Sequence, residues 1–524
     1  MANKQKLELT WIGKGEEPTL EPRILIEDPS KSYGDPTSQN MLIHGDNLLA
    51  LKALQQEYSG MINSIYADPP YNTGSAFTHY DDGVEHSIWL NLMRPRIELF
   101  RDLLHETGTL WVTLDDNEVY YFKVLADEVF GRHNFVISIV WNSRKSKQND
   151  AKISLGHNYI LVYAKDITKA KIKTLDVDAD TYTNPDEDPR GPWRADPFDA
   201  PNLRPNLTYV IKNPHTGVEY MPPQGRCWRT TEDKFLAALA DNRIVWGKTG
   251  KSKPQMKRFL SEAQSKGQVS GTWWDDCGTA TEASRELMNI LGRNDRFATP
   301  KPERLLERVL KLSSDEGDIV LDSFLGSGTT AAVASKMDRH WIGVELGEHA
   351  YTHCIPRLKA VVDGSDQGGA SKSNKWQGGG GFKFYELAPS LLTQDSFGNW
   401  VIAKEFDANM LAHAMAKQEG FTYNPSQTTY WKQGYSTEKD YIYTTTQYVS
   451  IELVDAIHDG MQEDESLLIA CKAFDTASKD LHDNITIKKI PKILLGRCEF
   501  GKDDYNLNIS ESSESEDIDE ESEE

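Results

Sequence analysis

The apolar positions along the chain fall into runs of two kinds. Short contiguous blocks, "INSIY" (62–66), "DIVLD" (318–322), "HWIGVEL" (340–346) and "SLLIACKAF" (466–474), read as strands buried on both faces. "TTAAVASKM" (329–337) and "DANMLAHAMAKQEG" (407–420) carry the longer helical period, and "YIYTTTQYVS" (441–450) alternates as a half-buried strand does. Strands and helices that succeed one another in this way predict an α/β protein.

Size divides the pattern further. A chain of 524 residues has room for two or three domains. No stretch approaches the roughly 18 apolar residues of a membrane span, and "MANKQKLELTW" at the start lacks the apolar run of a signal peptide, so a cytoplasmic location is expected. Cys227, Cys277, Cys354, Cys471 and Cys498 are scattered without a CxxC pair; the expectation is reduced core thiols and no metal.

The net charge of −22 argues against nucleic acid until its distribution is read. Nine of the acids lie in "SESSESEDIDEESEE" (510–524), which has almost nothing to bury and reads as a disordered tail. Residues 142–258 hold 21 Lys and Arg against 14 Asp and Glu, a net positive region inside an acidic protein, as phosphate binding requires. "DGSDQGGASKSNKWQGGGGF" (363–382) has the Gly and Ser content of a flexible linker, and the segments beyond it suggest a small α/β module.

Two stretches carry chemistry. "YADPPYNTGSAFTHYDDG" (66–83) sets Asp68, Pro69, Pro70 and Tyr71 after a buried strand: a carboxylate and an aromatic face on a proline-stiffened backbone, at the edge where open α/β sheets bind ligands. "GDIVLDSFLGSGTTAAVAS" (317–335) reads as strand, glycine turn and helix. Gly326 and Gly328 allow close approach, and Glu345, 17 positions beyond Gly328 at the end of the next strand, suits two ribose hydroxyls. The third glycine of a dinucleotide site and the lysine of a P-loop are missing, so adenosine without a pyrophosphate fits better.

Over about residues 40–362 the chain resembles the β-group amino DNA methyltransferases. The resemblance rests on "LIHGDNLLAL", "DPPYNTG", "GTLWVTLDDNE", "HNYILVYAKD", "FATPKPERLLERVL" and "LDSFLGSGTT" with Glu345, in a circularly permuted order. It implies a Rossmann-like methyltransferase sheet, S-adenosyl-L-methionine as cofactor and duplex DNA as substrate. With it goes an expected target recognition region at 167–290, inserted between a catalytic half (1–166) and a cofactor-binding half (291–362); composition and periodicity, not the resemblance, put the linker at 363–381 and the C-terminal α/β module at 382–509.

The resemblance also assigns roles. Asp68 and the carbonyl of Pro69 would accept the two N–H groups of the target amine, with Pro70 stiffening the turn and Tyr71 stacking on a base flipped out of the duplex. Phe324, Gly326 and Gly328 would line the methyl donor, with Asp322 at the strand end and Thr329 at the helix start, while Glu345 holds the ribose. Asp46 matches the acid that contacts the cofactor's adenine, and Phe297, Thr299, Pro300 and Lys301 the segment closing over its methionine end. An initial Asp where cytosine-N4 enzymes usually have Ser points to adenine N6.

Within the family, "DPPYNTGSAF", "RKSKQND" and the glycine-rich passage into "FKFYELAPSLL" look like the modification subunit of a type III restriction system. Such subunits commonly dimerise and pair with a helicase-nuclease subunit. The alternatives are a stand-alone DNA methyltransferase, an RNA methyltransferase and an inert DNA-binding specificity module.

Overall fold

The computed structural model describes residues 8–71, 82–145, 147, 152–247, 249–292, 297, 299–490, 492–494 and 497–505. The acidic tail at 510–524 and most of the loop after Tyr71 lie outside the described residues. The chain divides into two compact units, one of residues 1–172 with 271–524 and one of 173–270.

The first unit is built on a large sheet with strand order Leu25–Glu27, Gly381–Leu387, Met41–His44, His340–Glu345, Ile319–Asp322, Ile62–Ala67, Leu104–Leu114, Asn158–Ala164, Phe135–Trp141, Trp273–Trp274. From Gly381–Leu387 to Leu104–Leu114 all neighbours are parallel. Strand Ile62–Ala67 is buried on both faces, as its apolar run predicts: Ile65 and Ala67 enter the main core, while Ser64 Oγ meets Ser313 Oγ at 2.7 Å on the other side.

The permuted motif order has a direct structural counterpart. Strand Ile319–Asp322 lies beside Ile62–Ala67, in register Val320 to Ser64 and Asp322 to Tyr66, although some 250 residues separate them in sequence. From this pair the chain winds outward in both directions, to His340–Glu345 on one side and Leu104–Leu114 on the other. That reversal opens a crevice at the carboxyl ends of the two strands.

The second unit, 173–270, lies inside the segment expected to recognise DNA. Strands Trp193–Pro197, Gln255–Phe259 and Ile244–Val245 form an antiparallel sheet, and Phe198, Ile211, Trp228, Phe235, Ile244 and Trp246 form a core of its own. Part of its positive charge is used internally. Lys257 is buried with its ammonium 2.7 Å from Asp188 and 2.5 Å from Asp186, and Arg243 pairs with Glu262 at 2.7 Å.

The expected flexible linker at 363–381 is packed instead. Asp366 takes the buried Lys336 ammonium at 2.5 Å, and Ala370 N donates to Glu303 at 2.9 Å at the start of a short helix, Ala370–Asn374. Glycine content lowers the cost of bending, but it does not stop a segment from docking where it completes a charge network. The module boundary moves with it, because Gly381–Leu387 belongs to the main sheet. Beyond it stand the expected helix, Ala408–Glu419, and the strands Asp440–Val449, Ser466–Phe474 and Ile485–Lys489, all three parallel.

Candidate active site

Four adjacent parallel strands each end in an acid: Asp46 two residues past Met41–His44, Glu345 closing His340–Glu345, Asp322 closing Ile319–Asp322, and Asp68 directly after Ile62–Ala67. Asp322 is in register with Gly343 on one side and Tyr66 on the other, so Glu345 and Asp68 each lie two residues beyond it. Carboxylates brought together at one edge raise one another's proton affinity. Asp322, buried, is pushed up to about 7, chiefly by desolvation, with Asp68 and Glu345 adding to the shift.

Asp322 shapes the glycine turn from inside. Its Oδ1 accepts from Phe324 N at 2.9 Å and its Oδ2 from Thr330 Oγ1 at 2.5 Å. Gly326 (φ +56°) and Gly328 (φ +80°) take left-handed backbone conformations, and a Cβ on Gly326 would lie 2.9 Å from Phe297 Cζ. Gly326 N donates to Glu345 Oε2 at 2.7 Å and Gly347 N to Oε1 at 3.1 Å. Two backbone amides thus fix the carboxylate, and each oxygen keeps a second lone pair for a ligand hydroxyl. Burial pushes the Glu345 carboxyl up, against the pull of those amides.

The second half of the site is equally constrained. Tyr71 Oη donates to Asp68 Oδ1 at 2.7 Å, and the Lys301 ammonium donates to Asp68 Oδ2. Burial, with Asp68 beside it, holds the Tyr71 phenol well above its usual range, so it remains a donor. Trp89 Nε1 donates to the Pro70 carbonyl at 2.7 Å. Pro70 O is therefore engaged by the protein.

Not every expected residue faces the crevice in the assumed way. Asp46 is buried and caps helix Asn47–Tyr58, Oδ1 accepting from Leu49 N at 3.0 Å and Oδ2 from Tyr505 N at 2.8 Å, with Arg96 3.7 Å away. Each Asp46 oxygen thus has one backbone amide, as each Glu345 oxygen does. Thr329 turns inward, accepting from Arg357 Nη1 at 2.8 Å. Phe324 is half-buried against the main core and Phe297 packs edge-on to His349 and His353. Thr299 is exposed and Pro300 buried, and Lys301 reaches Asp68.

Two contributors had no sequence signal. Trp89 is one. Arg357 is the other: it reaches Ser327 O at 3.3 Å, Thr329 Oγ1 at 2.8 Å and Glu303 Oε1 at 2.9 Å, tying the glycine turn to helix Glu303–Ser313. Glu303 in turn holds Lys336 at 2.7 and 2.9 Å. A lone arginine in a helix usually marks a solvated face; only its burial reveals this role.

Comparison with known proteins places this geometry. The family model described as "DNA methylase" matches residues 62–355, which contain the Asp68 turn, Lys301, the glycine turn and Glu345. The StyLTI Mod subunit of a type III restriction-modification enzyme from Salmonella typhimurium is 35% identical over 329 residues, covering 56% of this chain and 49% of that protein. The EcoPI Mod subunit of Escherichia phage P1 is 31% identical over 401 residues, covering 64% and 62%. The chain thus spans about half to three-fifths of the length of these relatives. The crystal structure of an M1.HpyAVI–SAM complex aligns over 61% of this chain and all of its own at 16% identity and a TM-score of 0.31, a likeness too weak to carry an argument. On the family match, which takes in more than half of its residues, the chain belongs to the DNA methylase family.

Proposed function

We propose that the protein transfers a methyl group from S-adenosyl-L-methionine to N6 of an adenine flipped out of duplex DNA. The observation that carries this is the juxtaposition, across two neighbouring strands, of the Asp68–Tyr71 turn and the glycine turn held by Glu345. The residues present fit the cofactor: Gly326 presents bare backbone, and Glu345 retains lone pairs for two ribose hydroxyls. When bound, the cofactor supplies an electrophilic sulfonium methyl.

The chain's own residues then do the rest. Asp68 and Pro69 O accept the two N–H groups of the adenine amine, and Tyr71 stacks on the ring. An amine conjugated to its ring is a poor nucleophile; holding both N–H groups frees its lone pair from the ring, and fixed geometry adds proximity. Acceptors at the crevice suit a donor group of the substrate.

The compact unit at 173–270 would read the DNA. Arg194, Arg229 and Arg258, each two-fifths to one-half exposed around Asp196, are candidates for phosphate and base contacts. The relatives named as Mod subunits of type III restriction-modification enzymes support a role as the modification and specificity subunit of such a system; pairing with a helicase-nuclease subunit and dimerisation are part of the same proposal and rest on the family resemblance alone. Incubation with tritiated cofactor and unmodified plasmid DNA should put label into N6-methyladenine. Label appearing only in RNA, or in neither nucleic acid, would overturn the reading. Co-expression with a type III restriction subunit should yield a stable complex, and failure to form one would favour a stand-alone enzyme.

A further inference from the structure

We propose that Lys301 is a placeholder cation: it occupies Asp68 and one face of Tyr71 until an incoming base with an exocyclic amine displaces it. The inference rests on the methyl-transfer reading above and goes beyond it, since that reading gives Lys301 no role and the family resemblance gives it only a share in closing over the cofactor.

Both Asp68 oxygens have a donor in the structure, Tyr71 Oη on Oδ1 and the Lys301 ammonium on Oδ2. The same ammonium lies 5.3 Å from the centroid of the Tyr71 ring, within cation–π range. A base that stacks on Tyr71 and donates to Asp68 therefore meets Lys301 at both contacts. The ion pair is largely out of solvent, with the lysine side chain 9% and the aspartate 20% exposed, so removing the cation without replacement would leave the carboxylate with the Tyr71 hydroxyl as a donor but without a countercharge, at a cost.

An amine can replace the ammonium because it brings N–H donors. A base that shows only a carbonyl oxygen at that edge would set oxygen against carboxylate. The exchange thus ties entry into the pocket to the chemical group that is methylated.

The surroundings favour motion of the side chain alone. Lys301 lies between Pro300 and Pro302, both of which restrict the local backbone, and the next residue, Glu303, is anchored by Lys336 and Arg357. The four-carbon stem of lysine can swing from such an anchor, whereas a planar guanidinium would grip the carboxylate with two parallel bonds. Lys301 is in this sense a positioning residue that acts through Asp68.

Steady-state methylation of unmodified plasmid DNA by the full chain tests the exchange, varying DNA and cofactor separately. Lys301→Met should lower KM for DNA about three- to tenfold, because the base no longer has to displace the ammonium, and also lower kcat, because Asp68 loses the partner that orients it. Lys301→Arg should shift KM for DNA in the opposite direction. If Lys301→Met does not fold, shown by its melting curve, Lys301→Gln serves in its place with the same expectation. A raised KM for the cofactor with no fall in KM for DNA would overturn the proposal in favour of cofactor closure, and unchanged constants would overturn it outright. A wild-type protein that transfers no methyl group would instead remove the reading beneath it.

Discussion

The main sheet and the C-terminal sheet both have a run of parallel strands at their centre, yet the loops that leave those strands differ. In the main sheet the chain leaves strand Ile319–Asp322 through a turn with two left-handed glycines, and a neighbouring carboxylate is held by amides of two loops. In the C-terminal sheet, strand Asp440–Val449 passes directly into helix Ile451–Asp459, with Ser450 Oγ accepting from Leu453 N at 3.3 Å. After Ser466–Phe474, Asp475 caps a single turn by accepting from Ala477 N at 3.0 Å. Polar side chains there satisfy their own backbone. A parallel sheet becomes a site when its loops keep backbone and carboxylate lone pairs available to a ligand, and that takes glycine and cross-strand support.

The sharpest way to break the contrast is at Asp68. Asp68→Ala should lower kcat at least about a hundredfold, the scale of one transition-state hydrogen bond in a dry site, with cofactor affinity retained. Turnover near wild type would take Asp68 out of the chemistry.

Next come the two supports of the glycine turn. Gly326→Val places a branched side chain where a single Cβ already lies 2.9 Å from Phe297, at a φ that L-residues avoid, and should abolish cofactor binding in titration calorimetry. Glu345→Ala should raise the cofactor Kd about ten- to hundredfold through lost ribose bonds. Wild-type isotherms for both variants would refute the assignment.

Asp322 gives a pH signature. Its folded-state pKa is raised to about 7, above the ordinary aspartate value near 4, so the native state binds the extra proton between those limits. Its contribution is therefore fully unfavourable above pH 7 and is relieved as the pH falls from about 7 towards 4. The stability of wild type minus that of Asp322→Asn, from urea melts, should accordingly decline as pH rises from about 4 to about 7 and level off above that. A flat difference would mean that Asp322 titrates normally.

The smallest effects belong to the C-terminal sheet. Ser450→Ala and Asp475→Ala should each cost about 1 kcal/mol of stability through loss of a cap, with methyl transfer unaltered. A loss of transfer in either variant would show that the second sheet takes part in the reaction and would end the contrast.

Much of this was legible in the chain. The runs at 62–66, 318–322 and 340–346 are strands, "GSGTT" is the turn and helix start it resembles, and Asp68, Gly326 and Glu345 meet at one edge. Other features depend on distant partners. Asp46 reads as a ligand contact from its motif, and in the fold its Oδ2 also accepts from Tyr505 N, 459 positions away. The Gly- and Ser-rich stretch at 363–381 reads as a free linker, but a buried lysine draws Asp366 inward.

The division follows from the range of the forces. Contiguous apolar blocks, Gly and Pro act over a few residues of backbone, so strand, turn and helix starts are determined locally by the sequence. Which partner a polar side chain takes once buried depends on what the fold sets within about 3 Å of it. Tertiary structure alone brought Lys301 onto Asp68 across 233 positions, placed Arg357 under the glycine turn and aimed Trp89 at the carbonyl of Pro70, because each buried polar group had to be satisfied by whatever donor or acceptor the packing left beside it.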